Sequence, residues 1–382
     1  MNLEYMDEQE REEVLRAAKR RKRRKASSLA AVIVLILLLF LIPLLTSGGW
    51  ELYKKATGDN DEATLSGMLQ GEQNVEVISD SVVYTQAEME IKLAEAMEQA
   101  RTQEEQRILE GMKESFSQGV TTVEALRPFY PDDIVVASSG KIHFVPINRD
   151  LKLNRLSSDN LRKLETGEFQ YVVDEQVISH KGIDVSSHQG KIDWEKVAGD
   201  GVEFAMIRVG FRGYGKEGKL VSDEYFEENI TGARRNGIKV GVYFFSQAIN
   251  EEELMEEAQL VLDSIAPYQL DCPVVYDVER VSGSNARMNA LSVEERTALS
   301  LLFCETIEKA GYTPMLYHNT EMGALMLDIA AFEKYDKWYA SYNSKMFYPY
   351  EYKIWQYSEK GKVNGIQGNV DMNISFAPVW KE

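Results

Sequence analysis

Residues 273–279 read Pro273-Val274-Val275-Tyr276-Asp277-Val278-Glu279, an apolar run that ends in two carboxylates. Such a run predicts a buried strand whose last residues emerge at the edge of a sheet. Side chains two apart on a strand share one face, so Asp277 and Glu279 point the same way, roughly 7 Å apart. A solvated strand end is the alternative interpretation. Two like charges this close raise the pKa of one carboxyl, which leaves a proton donor beside an ionised partner.

The second half of the chain alternates strand and helix patterns. Strand-like runs lie at residues 182–186, 204–210, 239–245, 273–279, 313–319, 337–342, 353–357 and 370–374. Helical patterns lie at about residues 223–236, 251–265, 292–310 and 321–330. This alternation predicts a parallel sheet covered by helices, and eight strands in about 200 residues predict a closed barrel. The connections after residue 342 are too short for full helices. We therefore expect an α/β, TIM-barrel-like (β/α) barrel with reduced helices in the last strands.

A membrane anchor is predicted near the start of the chain. Residues 1–28 hold nine Lys/Arg against six Asp/Glu, and residues 29–45 form a run of 17 apolar residues without a charge. Extended through residue 49, this run is long enough for a transmembrane helix. A signal peptide is the alternative, but the apolar core is too long and no cleavage site follows. The positive-inside rule then predicts a basic cytoplasmic tail at residues 1–28, one span at 29–49 and an extracellular remainder.

Residues 50–119 are predicted to form a linker and a stalk helix. Residues 50–84 are polar, whereas residues 86–117 place Met89, Leu93 and Met97 four apart. One narrow apolar stripe indicates a solitary stalk helix or a weak coiled coil. Residues 120–178 are predicted to be a small extracytoplasmic module that contains a hairpin, and residues 179–382 the barrel domain.

Composition excludes several classes of protein. The chain carries 61 Asp+Glu against 43 Lys+Arg, and its tail is basic, so the body is strongly acidic and unsuited to nucleic acid. Cys272 and Cys304 are too few for a disulfide framework; we expect buried free thiols, with a single bridge as the alternative. We expect no metal and no cofactor, because the histidines lack ligand spacing. They are His143, His180, His188 and His318.

Carboxylates fall at the ends of three predicted strands. Asp184 ends the first, Asp277 and Glu279 end the fourth, and Asp371 belongs to the last. In β/α barrels the chemistry gathers at the C-terminal ends of the strands. Barrel closure places the first and last strands side by side, so we expect Asp184 and Asp371 to be neighbours. The alternative for either residue alone is a loop cap.

Aromatic residues add an indication of substrate. Residues 335–357 contain ten aromatic residues, far above the chain's 10%. Flat rings beside carboxylates suit sugars, whose C–H faces stack while their hydroxyls form hydrogen bonds. We expect Tyr243, Tyr317 and Trp355 to line a cleft, which His188 and His318 border.

Six motifs resemble glycoside hydrolase family 25, the Chalaropsis-type lysozymes or N-acetylmuramidases. The resemblance covers about residues 181–377, with the motifs in the expected order. They are GIDVSSHQG at 182–190 with IDW at 192–194, IRVG at 207–210, GVYFF at 241–245, YDVE at 276–279, IWQY at 354–357 and VDMN at 370–373.

The resemblance implies a fold, a reaction and a set of roles. It implies a β/α barrel that hydrolyses the β-1,4 bond between N-acetylmuramic acid and N-acetylglucosamine in peptidoglycan. Glu279 would be the general acid and Asp277 its assisting carboxylate, either orienting the 2-acetamido group or stabilising the transition state. Asp184 and Asp371 match the other acidic positions of the family's cleft. Sequence spacing leaves retention, inversion and substrate assistance open.

The same motifs suggest substrate-binding side chains. Tyr243, Tyr317 and Trp355 match the family's sugar-contacting aromatics, and His188 and Arg208 lie within the quoted motifs. The expectation is a membrane-anchored muramidase whose partners are glycan strands and the membrane. The alternative is a non-catalytic wall-binding scaffold, or a component of an envelope-spanning apparatus that binds its partners through residues 50–178.

Overall fold

The computed structural model describes residues 85–281, 286–342 and 345–380. Almost all of them belong to one compact unit, Glu88–Glu382. The predicted tail, the predicted span and residues 50–84 lie outside the described residues. Among the helices within residues 85–380 that the structure describes, none is both long and apolar enough to cross a bilayer.

The predicted stalk helix is present as α1, Gln86–Ser117. Its 32 residues are about 48 Å long at 1.5 Å per residue. Met89, Leu93 and Met97 are exposed, and only the C-terminal third of the helix carries half-buried side chains.

Residues 120–178 form a helix, a hairpin and a small sheet, which together we call the rim module. Its helix α2, Thr122–Leu126, begins with a capping box in which Thr121 and Glu124 bond each other's main chain. The hairpin of β1, Asp133–Ser138, and β2, Lys141–Pro146, is confirmed, and it turns through Ser139 and Gly140 at positive φ. A small antiparallel sheet follows, made of β3, Leu161–Lys163, β4, Phe169–Val173, and β5, Gln176–Val177.

A closed barrel of eight strands fills the rest of the chain, as the sequence predicts. In ring order the strands are β6, His180–Val185; β7, Phe204–Arg212; β9, Lys239–Phe245; β10, Val274–Asp277; β11, Pro314–Asn319; β12, Asp336–Ala340; β13, Ile354–Gly361; and β14, Val370–Ser375. A short strand β8, Leu220–Ser222, pairs with the outer part of β7. The first seven ring strands run parallel, whereas β14 is antiparallel to both neighbours. The expectation of a wholly parallel sheet was therefore wrong at the last strand.

Within the described part of the barrel domain, four α-helices cover the outside of the barrel: α3, Trp194–Gly199; α4, Phe226–Arg235; α5, Glu251–Ile265; and α6, Val293–Lys309. The helix predicted at 321–330 is wrong in type, because the segment forms a π-helical turn and then a 3-10 turn. Asp328 separates them, since its side chain accepts from the Ala330 N–H and so starts a new turn. The connections from β12 to β13 and from β13 to β14 are loops, as expected.

The core has two layers. One cluster fills the barrel and includes Phe204, Met206, Val275 and Trp338. The other lies between the barrel wall and its helices, so strands buried on both faces carry near-continuous apolar sequence. Cys272 and Cys304 are buried free thiols, as expected.

Candidate active site

Three strands bring four carboxyl groups to one rim of the barrel. Asp277 is the last residue of β10, and Glu279 lies two residues further on. Asp184 is the penultimate residue of β6, and Asp371 is its direct partner across the β14–β6 pair. Asp371 lies near the start of its strand, and it reaches this rim only because β14 runs against the others.

Asp184 is held by two amides. Its Oδ2 accepts from Gln356 Nε2 at 2.9 Å and from Asn373 Nδ2 at 2.8 Å. Gln356 Oε1 in turn accepts from the hydroxyls of Tyr317 at 2.8 Å and Tyr342 at 3.0 Å. Two hydroxyl donors on the oxygen fix the orientation of the amide, so its NH₂ group must face Asp184.

Asn373 is oriented in the same way. Its Oδ1 accepts from Trp338 Nε1 at 2.8 Å inside the barrel, which turns its NH₂ group towards Asp184. Both donors favour the ionised form of this carboxyl, yet burial dominates and raises the pKa of Asp184 to about 6. Asp184 is therefore a positioned carboxylate near neutral pH.

Asp277 and Glu279 form a hydrogen-bonded pair of carboxyls. Burial is the largest cause that raises the pKa of each, to about 7 for Glu279 and well above the ordinary range for Asp277. The charge of Glu279 raises the pKa of Asp277 further, and that of Asp371 raises the pKa of Glu279. Two such groups cannot both ionise at neutral pH, so the pair holds a proton between them.

The interaction between the two carboxyls has opposite effects on their pKa values. The hydrogen bond raises the pKa of Asp277 and lowers that of Glu279. The two carboxyls therefore titrate as one unit, and the roles of Glu279 as acid and Asp277 as assisting carboxylate stay predictions. Asp371 is also protonated near neutrality, because burial and then the charge of Asp184 raise its pKa to about 9.

Tyr243, Tyr317 and Arg208 lie beside the four carboxyls. Tyr243 is half-buried, and after burial the charge of Asp184 is the next cause that raises its pKa well above 10.0. Tyr317 is 5% exposed and presents its hydroxyl to Gln356.

Arg208 provides a positive charge at this rim. It pairs with the buried Asp223 at 2.8 Å and donates to Ser187 Oγ at 3.0 Å. Its charge lowers the pKa of Asp277, opposing the effect of burial. His188 is exposed on the 3-10 turn Ser187–Gln189, directly after β6.

Two predicted cleft residues face the other way. Trp355 is 1% exposed, and its ring lies 5.4 Å from that of Phe169 and 5.7 Å from that of Tyr357. Its neighbour Gln356 points into the barrel, so Trp355 points outwards and cannot line the cleft. His318 is likewise fully buried outside the barrel, where burial lowers its pKa to about 4.

Comparison with known sequences agrees with this geometry. Residues 183–366 match the sequence model of glycosyl hydrolases family 25. Uncharacterized protein YegX of Escherichia coli is 31% identical over 205 residues, which span 50% of this chain and 68% of YegX. The chain belongs to glycosyl hydrolases family 25.

Other similar proteins match over a smaller share of their length. The autolytic lysozyme of Clostridium acetobutylicum is 28% identical over 194 residues, which span 50% of this chain and 55% of the lysozyme. The solved structure of the modular autolysin LytC from Streptococcus pneumoniae has a TM-score of 0.46 and 24% identity, covering 64% of this chain and 56% of LytC. The chain thus spans little more than half the length of either protein.

Sequence analysis missed several residues of this family 25 site. Gln356, Asn373, Trp338 and Tyr342 all belong to the network around Asp184. The signal for Asn373 was its spacing of two from Asp371, which puts both on one face of a strand.

Proposed function

We propose that this family 25 protein is a muramidase that hydrolyses the β-1,4 bond between N-acetylmuramic acid and N-acetylglucosamine in peptidoglycan. The observation that carries the proposal is the hydrogen-bonded pair Asp277–Glu279, which holds a proton at the barrel rim beside Asp184 and Asp371. Glycosidases need one protonated and one ionised carboxyl across the scissile bond. The lysozyme name of the Clostridium relative supports peptidoglycan as the substrate.

Glu279 is the residue we assign as general acid. It lies beyond the end of β10 and is only half-buried, whereas Asp277 is 6% exposed, so Glu279 is the one that a leaving-group oxygen reaches. Its pKa near 7 suits proton donation around neutral pH. The proton that it donates becomes part of the leaving sugar, and Glu279 is left as a carboxylate.

Asp277 is the residue we assign as the assisting carboxyl. Its Oδ1 is buried and accepts no hydrogen bond from a described residue, so it is an unpaired acceptor that the N–H of a 2-acetamido group would satisfy once the side chain turns into the cleft. When the sugar separates Asp277 from Glu279, the shared proton stays on Glu279, and Asp277 is left as a carboxylate. The hydrogen bond that favours its protonated form is then lost, and the nearby Arg208 favours its ionised form.

The spacing of the pair favours retention of configuration. Carboxyls in hydrogen-bond contact are closer than the ~6.5–9.5 Å that an inverting enzyme needs to hold a water between them. A retaining or substrate-assisted reaction releases the β-anomer of the new reducing end first. Proton NMR during the first minutes of hydrolysis measures that anomer, and initial release of the α-anomer would exclude this assignment.

We also propose that the enzyme is held on the outer face of the cell membrane by one span at residues 29–49, with residues 1–28 in the cytoplasm. The support is the uncharged apolar run and the basic cluster before it. The full chain should sediment with membranes and resist extraction by salt and alkali. A variant that lacks residues 29–49 should be released.

Mass analysis of digestion products tests the reaction itself. Purified peptidoglycan incubated with the protein should yield muropeptides whose new reducing end is N-acetylmuramic acid. Reducing ends on N-acetylglucosamine would indicate the other glycosidic bond. Binding to the wall without any product would favour the scaffold instead.

A further inference from the structure

The rim module is fixed to the catalytic rim at its β1–β2 turn. Arg280, which follows Glu279, donates to Ser139 Oγ at 2.8 Å and to Glu321 Oε1 at 2.7 Å. Because side chains alternate along an extended segment, Arg280 points away from the cleft and towards the module. The module therefore supports the rim from behind Glu279.

A second attachment joins the module to the loop after β12. Asn154 N–H donates to the carbonyl of Pro349 at 2.8 Å, and Asn148 N–H donates to the Tyr350 hydroxyl at 2.8 Å. Further along, Phe169 of β4 packs against Tyr357 in an edge contact at 5.1 Å. With several attachments, the module and the barrel hold any cavity between them in a fixed shape.

One such cavity, of about 360 Å³, opens between the module and β13. This volume is at the lower end of the roughly 300–1,000 Å³ of ligand pockets. Lys163 and Phe169 line it from the module, and Tyr357, Glu359 and Lys360 line it from the barrel. Tyr342 completes the lining on the side of the active site.

The cavity adjoins the four carboxyls. The hydroxyl of Tyr342 donates to Gln356, and Gln356 donates to Asp184, so two hydrogen bonds connect the cavity wall to the site. The charge of Glu359 is also close enough to raise the pKa of Asp371. Tyr342, which is 51% exposed, therefore borders both the cavity and the hydrogen-bond network of the carboxyls.

The lining favours an anionic ligand over a stacked sugar. Phe169 and Tyr357 are only 8% and 5% exposed, so they offer little ring face for stacking. Lys163 and Lys360 both line the cavity, and Glu359, the one acid among its described lining residues, lies 3.5 Å from Lys360. Glu168, next to Phe169, is paired with Lys181 at 2.7 Å. This leaves a net positive charge within a chain whose formal charge is −18.

We propose that this cavity binds the carboxylates of the stem peptide that peptidoglycan carries on N-acetylmuramic acid, with Lys163 and Lys360 as the recognising cations. The inference rests on the proposed function, because it concerns another part of the same substrate. Residues 163–169 lie outside the family match at 183–366, so this subsite is a property of this chain with its rim module.

Two substrates with one glycan test the proposal. Soluble glycan strands with stem peptides are compared with the same strands after an amidase has removed the peptides. Lys163→Glu and Lys360→Glu should each raise KM about fivefold on the peptide-bearing strands, as expected for an exposed ion pair that is reversed. Neither should change hydrolysis of the peptide-free strands, which also shows that the variants fold. Lys113→Glu on α1 is the matched control and should change neither substrate.

The other outcomes are decisive too. An equal loss on both substrates would overturn the proposal, because the lysines would then serve the glycan or the fold. Wild-type kinetics in both variants would overturn it as well. A wild-type protein that cleaves neither substrate would instead overturn the proposed function, and this inference with it.

Discussion

Asp371 lies directly opposite Asp184 in the antiparallel pair that closes the barrel. The two carboxyls are hydrogen-bonded, and burial and then the charge of Asp184 raise the pKa of Asp371 to about 9. A pKa raised in the folded state means that folding becomes less favourable as pH rises from about 4 to about 9. This pair therefore lowers stability at neutral pH, as expected of a site arranged for chemistry.

Asp371→Asn should stabilise the protein at alkaline pH. The unfolded carboxyl ionises near 3.8, whereas the folded one holds its proton to about 9, so each pH unit between them favours unfolding of the wild type. Asparagine does not titrate and can still donate to Asp184. We expect a higher Tm than wild type at pH 8 and an equal Tm at pH 4, measured by circular dichroism. If the variant and the wild type had equal Tm values at pH 8 as well as at pH 4, the result would contradict the pairing of Asp371 with Asp184.

Asp193→Asn is a control for which the expected change in Tm has the opposite sign. The pKa of this exposed carboxyl is lowered by its hydrogen bond with Lys196, so its stabilising effect is present above about pH 4. The variant should therefore have a slightly lower Tm than wild type at pH 8.

The rate should fall as pH rises through about 7. Glu279 must hold a proton to act as an acid, and burial raises its pKa to about 7. We expect kcat/KM on soluble glycan to fall up to tenfold per unit above pH 7.5. Circular dichroism over the same range separates this from unfolding. A rate that is flat to pH 9 would remove Glu279 from the acid role.

Arg280→Ala should slow the enzyme by about tenfold, mainly through kcat. Its hydrogen bond to Ser139 connects the segment after β10 to the rim module, and its hydrogen bond to Glu321 connects the same segment to the chain after β11. Hydrogen bonds to charged groups contribute roughly 1.5–3 kcal/mol each. Loosening that segment changes the environment of Glu279, so the alkaline limb of the pH profile should also shift. Arg280→Lys should restore part of the rate. Arg149→Ala, which removes a surface ion pair with Asp132, should have no effect.

Trp355→Leu should affect stability rather than substrate binding. The ring is buried against Phe169 and Tyr357, so truncation leaves a cavity and lowers the free energy of unfolding by about 2–4 kcal/mol. KM for glycan at 25 °C should stay at the wild-type value. Denaturant unfolding measures the loss of stability, and steady-state kinetics measure KM. A raised KM with unchanged stability would contradict this placement and indicate that Trp355 lines the cleft.

The contrast between Trp355 and Gln356 explains one limit of sequence analysis. The run at 354–357 predicts a strand from its apolar residues, but alternation alone does not say which set faces the barrel. Trp355 was predicted to bind sugar because its ring is suited to stacking. The strand register instead points Gln356 into the barrel and Trp355 outwards. Strand positions were predictable from composition, and the face of this strand required the closed barrel.

The direction of β14 explains a second limit of sequence analysis. A strand pattern reads the same in both directions, so sequence predicted Asp371 beside Asp184 but not the reversal that brings it there. The attachment of the rim module was equally hidden. Arg280 and Ser139 are 141 residues apart, and neither residue type indicates the other. By contrast, Asp277 and Glu279 were identified from two local features, an apolar run and a spacing of two.

The most direct test of the account is the rate of Glu279→Gln on purified peptidoglycan, followed as released reducing ends. Glutamine keeps the shape of the side chain but cannot donate the proton, so we expect a loss of about 100- to 10,000-fold. Asp193→Asn, an exposed carboxyl of the same domain, should stay within about twofold of wild type at 25 °C, because exposed ion pairs contribute little. Wild-type activity in Glu279→Gln would contradict the assignment of the proton donor, and with it the proposed mechanism.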